Sequence, residues 1–318
     1  MKSENWLSMS DEHQVYVCKW EEKSVKPRAV VQVAHGMAEH IKRYEPFAMF
    51  LNSKGIIVIG HDHRGHGQTG EKNGEYGFFA ESNGFERAVD DMKEVHDYIK
   101  DQYPELPVFL MGHSMGSFLV RRFLQRFQVG LYGVILSGTG GNPGFILKIA
   151  KKLAETQVKK WGNRAESPFL QKLTTGSYNK KFTNSNTGYE WLTRDSKQVS
   201  TYINDPFCGK VGTTGFFQDL YYGLDMIHRD KEISNIDRNL PFYLFSGDMD
   251  PVGNYTKGVN KLINQLRKHG IKQIEYKFYE NGRHEMLNEV NRDAVYDDIY
   301  QWIEKKLNEY KQNAGLSK

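Results

Sequence analysis

Cysteine is nearly missing from this chain: Cys18 and Cys208 are the only two among 318 residues, too few for a disulfide framework or a cysteine-based zinc site. Long hydrophobic runs are missing too, since pieces such as 55–60 and 108–112 fall far short of the roughly 20 residues that cross a bilayer. Charge of one sign is scarce: 43 Lys and Arg stand against 39 Asp and Glu, a formal +4, and no nucleic-acid partner is expected. There is no repeat, no low-complexity tract and no block of like charge. Residues 1–13 lack the apolar centre of a secretory signal, so a reducing cytoplasm is the expected compartment. What charge there is lies unevenly. Residues 145–215 hold 12 basic against 5 acidic residues, a net of +7, which leaves the remainder at −3. A hydrophobic share of 39% and an aromatic share of 13% suffice for a sizeable core, and the length suits two domains or one large domain with an insertion.

Short β-branched runs alternate with segments of helical period, the pattern of a mostly parallel sheet with helices on both faces. Residues 15–20 alternate like an edge strand, and 29–34, 56–60, 108–111, 134–137, 242–245 and 274–278 read as buried strands. Between them, Phe85, Val89, Met92, Val95 and Ile99 make one helical stripe, Val259, Ile263 and Leu266 a second, and Val295, Ile299, Trp302 and Leu307 a third. The βα rhythm stops after Ser137 and resumes near Pro241. This divides the chain into a first core part (1–140), a mainly helical lid (141–235) and a second core part (236–318). The lid opens with a helix over 146–161. Ile146, Ile149, Leu153, Val158 and Trp161 lie on roughly one side of it, with Lys148, Lys151, Lys152, Lys159 and Lys160 among the polar positions. Such a helix can rest on an anionic membrane or micelle, or its apolar side can cover the core while the lysines are solvated.

The strongest chemical signal is Gly112-His113-Ser114-Met115-Gly116, set between a strand and a helix over 117–127. A strand, sharp turn and helix around G-x-S-x-G present the serine hydroxyl above the sheet and aim the next backbone N–H at a developing oxyanion. A serine needs a base and an orienting acid, which in this topology follow in the order Ser, Asp, His. The late strand 242–245 runs into Ser246-Gly247-Asp248-Met249-Asp250-Pro251-Val252, where Asp250 is the favoured acid and Asp248 is expected to cap the turn. The last strand runs into Tyr279-Glu280-Asn281-Gly282-Arg283-His284-Glu285, which offers His284 as base. A second oxyanion donor is expected after strand 29–34, where Gly36 permits a tight turn, the N–H of Met37 points inward and His35 is structural.

Two other chemistries compete. His61-Asp62-His63-Arg64-Gly65-His66 has an H-x-H-x-x-H spacing like the metallo-β-lactamase zinc motif, but Gly65 stands where that motif supplies an aspartate. Hydrogen bonds that tie down a turn explain these histidines better. The run Gly138 to Gly144, G-T-G-G-N-P-G, satisfies neither a dinucleotide fingerprint nor a P-loop. No metal and no cofactor are implied.

Five segments, HGMAEHIKRYEPFAMFLNSKG, HDHRGHGQTG, GHSMGS, SGDMDPVG and NGRHEMLNE, resemble in order and separation the α/β-hydrolases of the monoglyceride lipase and lysophospholipase group, placed with serine aminopeptidase-like hydrolases. The lid, with 176–180 and 205–209, is more similar to bacterial lysophospholipase-type members. The resemblance implies Ser114, Asp250 and His284 as the triad and the Met37 and Met115 amides as the oxyanion hole. It also places Glu39 and Arg43 near the polar end of the substrate pocket, with Arg283 a neighbour. The expected reaction is carboxylic ester hydrolysis of a single-chain lipid, monoacylglycerol or lysophospholipid, through an acyl-enzyme. The substrate would be met at a membrane or micelle surface that the basic lid touches in passing. The alternatives are a short-chain carboxylesterase, a peptidase or acyltransferase using the same triad, a zinc hydrolase, or a binding module that has lost catalysis.

Overall fold

The chain lays down eight strands, β1 (Lys2–Ser8), β2 (Gln14–Trp20), β3 (Ala29–Ala34), β4 (Ile56–His61), β5 (Val108–His113), β6 (Gly133–Ser137), β7 (Phe242–Gly247) and β8 (Ile274–Tyr279). Helices α1 (Glu45–Asn52), α2 (Gly67–Asn73), α3 (Gly84–Gln102) and α4 (Met115–Arg126) lie among the first six strands. Between β6 and β7 come α5 (Phe145–Trp161), α6 (Pro168–Thr175), α7 (Ser196–Asn204), α8 (Thr214–Met226) and α9 (Asp230–Ile233), and α10 (Lys257–Lys268) and α11 (Arg292–Asn313) follow. The computed structural model describes residues 1–182 and 186–313.

All eight strands join one sheet in the order β1-β2-β4-β3-β5-β6-β7-β8. Pairing is parallel from β4 across to β8, and β1 and β2 add antiparallel at the other side. Six residues of β3, A-V-V-Q-V-A, are all buried, as a strand covered on both faces requires. Its one polar side chain, Gln32, is satisfied by the Met92 carbonyl at 2.9 Å and by His96 Nδ1 at 3.1 Å. The stripe Phe85, Val89, Met92, Val95 and Ile99 of α3 is fully buried on one face of the sheet, each side chain worth about 1.5–3 kcal/mol. The α11 stripe, Val295, Ile299, Trp302 and Leu307, packs with α1 on the opposite face.

Three expectations change. β2 is not an edge: β1 covers it, and the half-polar sequence K-S-E-N-W-L-S, exposed over most of its length, carries no alternation that would announce a strand. β8 is the other edge, with Tyr276 and Lys277 exposed, rather than a buried strand. Only part of the expected apolar side of α5 covers the core, with Leu153 packed against it. Leu147, Ala150 and Ala154 face inward, while Ile146 (69% exposed), Ile149 (47%) and Trp161 (54%) face solvent beside Phe145.

The order of the strands decides where chemistry can occur. β3 takes β4 on one side and β5 on the other, so the connections leaving β3 and β5 diverge and open a crevice at the carboxyl ends of the strands. The turns after β3, β5, β7 and β8 all lie at this end of the sheet.

Candidate active site

Ser114 occupies the turn from β5 to α4 with φ 50° and ψ −121°, a conformation that L-residues rarely adopt. The flanking glycines make the turn possible. A Cβ on Gly116 would lie 2.1 Å from the Ala34 carbonyl oxygen, and one on Gly112 would lie 2.5 Å from the Gly116 carbonyl oxygen. Strand, turn and helix are thus pressed together until no side chain fits. The Ser114 N–H donates to the Ser137 carbonyl at 2.9 Å, which anchors the turn to β6. Met115 is the first residue of α4, so its N–H has no carbonyl one turn back to bond.

The loops after β7 and β8 are packed as closely. A Cβ on Gly247 would fall 2.0 Å from the Gly282 carbonyl carbon, and the Met249 N–H donates to the Gly282 carbonyl at 3.0 Å. This approach brings Asp250 to His284: Nδ1 lies 3.0 Å from both carboxylate oxygens, and both side chains are buried. Burial alone would lower the imidazole pKa, but the charge and hydrogen bond of Asp250 outweigh it, with Glu285 and Glu39 adding, so the net shift is upward. The Asp250 carboxylate also accepts from Ser246 Oγ at 3.1 Å and from the Val252 N–H at 2.9 Å. Asp248 takes no part in this, and its Oδ1 is buried without a partner rather than capping the turn. His113 lies against His284, ring centroids 4.7 Å apart. Burial and the neighbouring imidazole push His113 down to about 4, so it stays neutral beside His284.

The turn after β3 is held by Glu39. Its Oε1 accepts from the Gly36 N–H at 2.6 Å and from the Tyr44 hydroxyl at 3.0 Å, and its Oε2 accepts from Arg43 at 2.7 Å. Met37 and Met115 line the same cavity as Ser114 and His284. Glu39 lines it too, with both oxygens engaged. Neither Arg43 nor Arg283 does: Arg43 sits between Glu39 and Glu285, and Arg283 donates to the carbonyls of Glu190 and Thr193 and stacks on Phe182. Arg43 thus ties the turn after β3 to the loop after β8, and Arg283 Nη1 ties that loop to the insertion.

The cavity has a volume of about 540 Å³. Its wall is largely apolar, with Met37, Met115, Phe118, Val211, Leu220, Leu224 and Val252, and Gln171, Thr174 and Asn179 from the insertion add polar points. Among the described residues no lysine or arginine lines it. The basic surplus of residues 145–215 therefore faces elsewhere. Part of the insertion is fastened to the site: the N–H groups of His284 and Glu285 donate to the carbonyls of Trp191 and Leu192 at 3.2 and 2.7 Å, and the Gly209 N–H donates to the Ala38 carbonyl at 2.9 Å. Trp191 also lies over His284 at 5.0 Å between centroids. Sequence reasoning misses Trp191, which sits in an irregular stretch without periodicity, and Glu285, whose partner Arg43 was the available signal.

The histidines of 61–66 bond to one another and to the backbone. His63 Nδ1 meets His61 Nε2 at 3.1 Å, His63 Nε2 meets the His35 carbonyl at 3.2 Å, and His66 Nδ1 meets the Arg64 carbonyl at 2.8 Å. His35 Nε2 accepts from the His63 N–H at 2.9 Å, which locks this turn against the one after β3.

Comparison with known proteins identifies relatives of the whole chain. The family described as "Serine aminopeptidase, S33" matches residues 25–291. The monoglyceride lipase of Homo sapiens is 27% identical over 300 residues, 92% of this chain and 88% of that protein. The monoacylglycerol lipase of Mycolicibacterium smegmatis is 27% identical over 292 residues, 88% and 90% of the two chains. Among solved structures, a thermostable carboxyl esterase from Bacillus coagulans in complex with glycerol superposes with a TM-score of 0.89 at 27% identity, over 96% of this chain and 99% of that one. The sheet order and the helical insertion are those of the α/β-hydrolase fold.

Proposed function

Because the chain belongs to the serine aminopeptidase S33 family and is a carboxylic ester hydrolase, we propose that it cleaves the ester of a single-chain neutral lipid, a monoacylglycerol, through an acyl-serine. One observation carries the choice of substrate. The cavity holding Ser114 and His284, of about 540 Å³, is mostly apolar and, among its described residues, free of lysine and arginine. A glycerol head group needs hydrogen-bonding groups such as Gln171 and Thr174, which line the cavity. A lysophospholipid phosphate buried there would lack the arginine or lysine that its charge demands.

In this reading His284 Nε2 takes the Ser114 proton as Oγ attacks the ester carbonyl carbon, and Asp250 holds the Nδ1–H tautomer and the imidazolium that forms. The N–H groups of Met37 and Met115 receive the oxyanion. Collapse breaks the C–O bond, glycerol leaves with the proton from His284, and a water deprotonated by the same imidazole releases the fatty acid. The exposed apolar stripe of α5, flanked by Lys148, Lys152, Lys159 and Lys160 and joined by Phe169 and Leu173 on α6, supports transient contact with an anionic membrane or micelle. No helix among the described residues is long and apolar enough to cross a membrane.

The test compares kcat/KM for a long-chain monoacylglycerol, the matching lysophosphatidylcholine and a short-chain aryl ester, with Ser114→Ala as blank. The expected order is monoacylglycerol first by tenfold or more, about 1.4 kcal/mol of transition-state binding. A short ester that wins by that margin makes the protein a general carboxylesterase. A lysophospholipid that wins overturns the argument from the uncharged cavity.

A further inference from the structure

Outside the cavity, and among the described residues, one group of side chains offers three different metal donors at one point. Nε2 of His40, a carboxylate oxygen of Asp205 and Sγ of Cys208 all lie within 4.8 Å of one another. His40 and Cys208 are buried, at 6% and 9% exposure, and the half-buried Asp205 leaves a path from solvent. The donors come from two separate parts of the chain. His40 follows the turn that carries Met37, and Asp205 and Cys208 close a turn of the insertion through the Cys208 N–H to Asp205 carbonyl bond at 3.1 Å.

We propose that His40, Asp205 and Cys208 bind a thiophilic divalent cation of the zinc type, with water as fourth ligand, and that this ion staples the insertion to the turn after β3. Tetrahedral zinc with bonds of about 2.0–2.3 Å holds its donors about 3.3–3.7 Å apart. His40 Nε2 and Asp205 Oδ2, now 2.8 Å apart, must part slightly, and the thiol, within 4.8 Å of both, must close by up to about 1.5 Å. Binding releases the Cys208 proton to solvent and uses the His40 tautomer protonated at Nδ1, which leaves the Nε2 lone pair for the ion. Burial holds the free thiol well above its ordinary pKa, so the ion must compete with the proton for the sulfur. Imidazole, carboxylate and thiolate together select zinc over magnesium or calcium. The cluster does not line the cavity of Ser114 and His284, so the ion has no part in the ester chemistry and the proposal stands apart from that reading.

The experiment treats the full chain with chelator under reducing conditions and titrates it with Co²⁺, a spectroscopic stand-in for Zn²⁺. One equivalent should bind with a near-ultraviolet thiolate-to-cobalt charge-transfer band that Zn²⁺ abolishes, and Zn²⁺ should raise the melting temperature. Cys208→Ser should lose the band and weaken binding at least about 100-fold, the upper end of what loss of a merely supporting contact costs. Cys18→Ser should keep the band and the affinity. If Cys208→Ser does not fold, as judged by circular dichroism, Asp205→Asn should shift the band and weaken binding. Folded wild type that binds no Co²⁺, binds it without the band, or binds it equally well in the variant would overturn the proposal.

Discussion

Arg43 grips Glu285 with both arms of its guanidinium, Nη1 to Oε1 at 2.7 Å and Nη2 to Oε2 at 2.6 Å, while Nη1 also reaches Glu39 at 2.7 Å. Glu39 fixes the Gly36 N–H and Glu285 adjoins His284, so one buried cation joins the turn that carries Met37 to the loop that carries His284. Burial opposes the charge on Glu285, but Arg43 overrides it and holds the carboxyl well below its ordinary pKa.

Arg43→Met should therefore leave two buried carboxylates uncompensated, at a cost of about 3–5 kcal/mol in stability, and kcat should fall more than KM changes. Arg43→Lys keeps the charge without the fork and should fall between. Denaturant melts and steady-state kinetics check this. A Met variant with wild-type melting and kcat would show that the tie is incidental.

Ser114→Ala should lower turnover by on the order of 10⁶, and Asp250→Asn by about 10⁴ through the wrong imidazole tautomer. Labelling by a fluorophosphonate, followed by mass spectrometry of the modified peptide, locates the nucleophile. A label on any serine other than Ser114 would refute the assignment.

The pKa of His284 lies above 6.5 in the folded protein, because Asp250 overcomes burial. Catalysis needs the neutral base, so kcat/KM should climb with pH through an inflection above 6.5, and Asp250→Asn should move that inflection down. Stability runs the other way. The His284 imidazolium with Asp250 stabilises the fold fully below the unfolded value of about 6.5 and ceases to do so as pH rises through the folded value. A pH–rate profile and melts across the same range test both signs, and an inflection below 6.5 would contradict the first.

Replacing Ile146, Ile149 and Trp161 together by Gln should reduce sedimentation with anionic vesicles and turnover of vesicle-borne substrate. Turnover of a soluble short ester and the melting temperature should stay near wild type, because these side chains already face solvent. Unchanged vesicle binding would return the stripe to an ordinary surface.

Much of the core was legible because its signals are local. Strands β3 to β7 announce themselves as short apolar runs, and the elbow at Ser114 by two glycines whose positions admit no Cβ. The spacing of Asp250 and His284 after late strands follows from chain order alone. β1 was not legible, since its pairing with β2 rests on backbone hydrogen bonds and an exposed, half-polar sequence.

The sequence by itself determined the alternation of strand and helix and the glycine-flanked turn at Ser114, both of which depend on neighbours a few positions apart. The tertiary structure decided which face of α5 turns inward. Ala150 and Ala154 are small enough to let α5 lie against α8, so the larger Ile146, Ile149 and Trp161 are left outside. It also decided that Arg43 pairs with both Glu39 and Glu285, and that the wall around Ser114 carries no lysine or arginine among its described residues. Such facts depend on distances between residues up to 242 positions apart, which no periodicity encodes because packing and ion pairing act through space rather than along the chain.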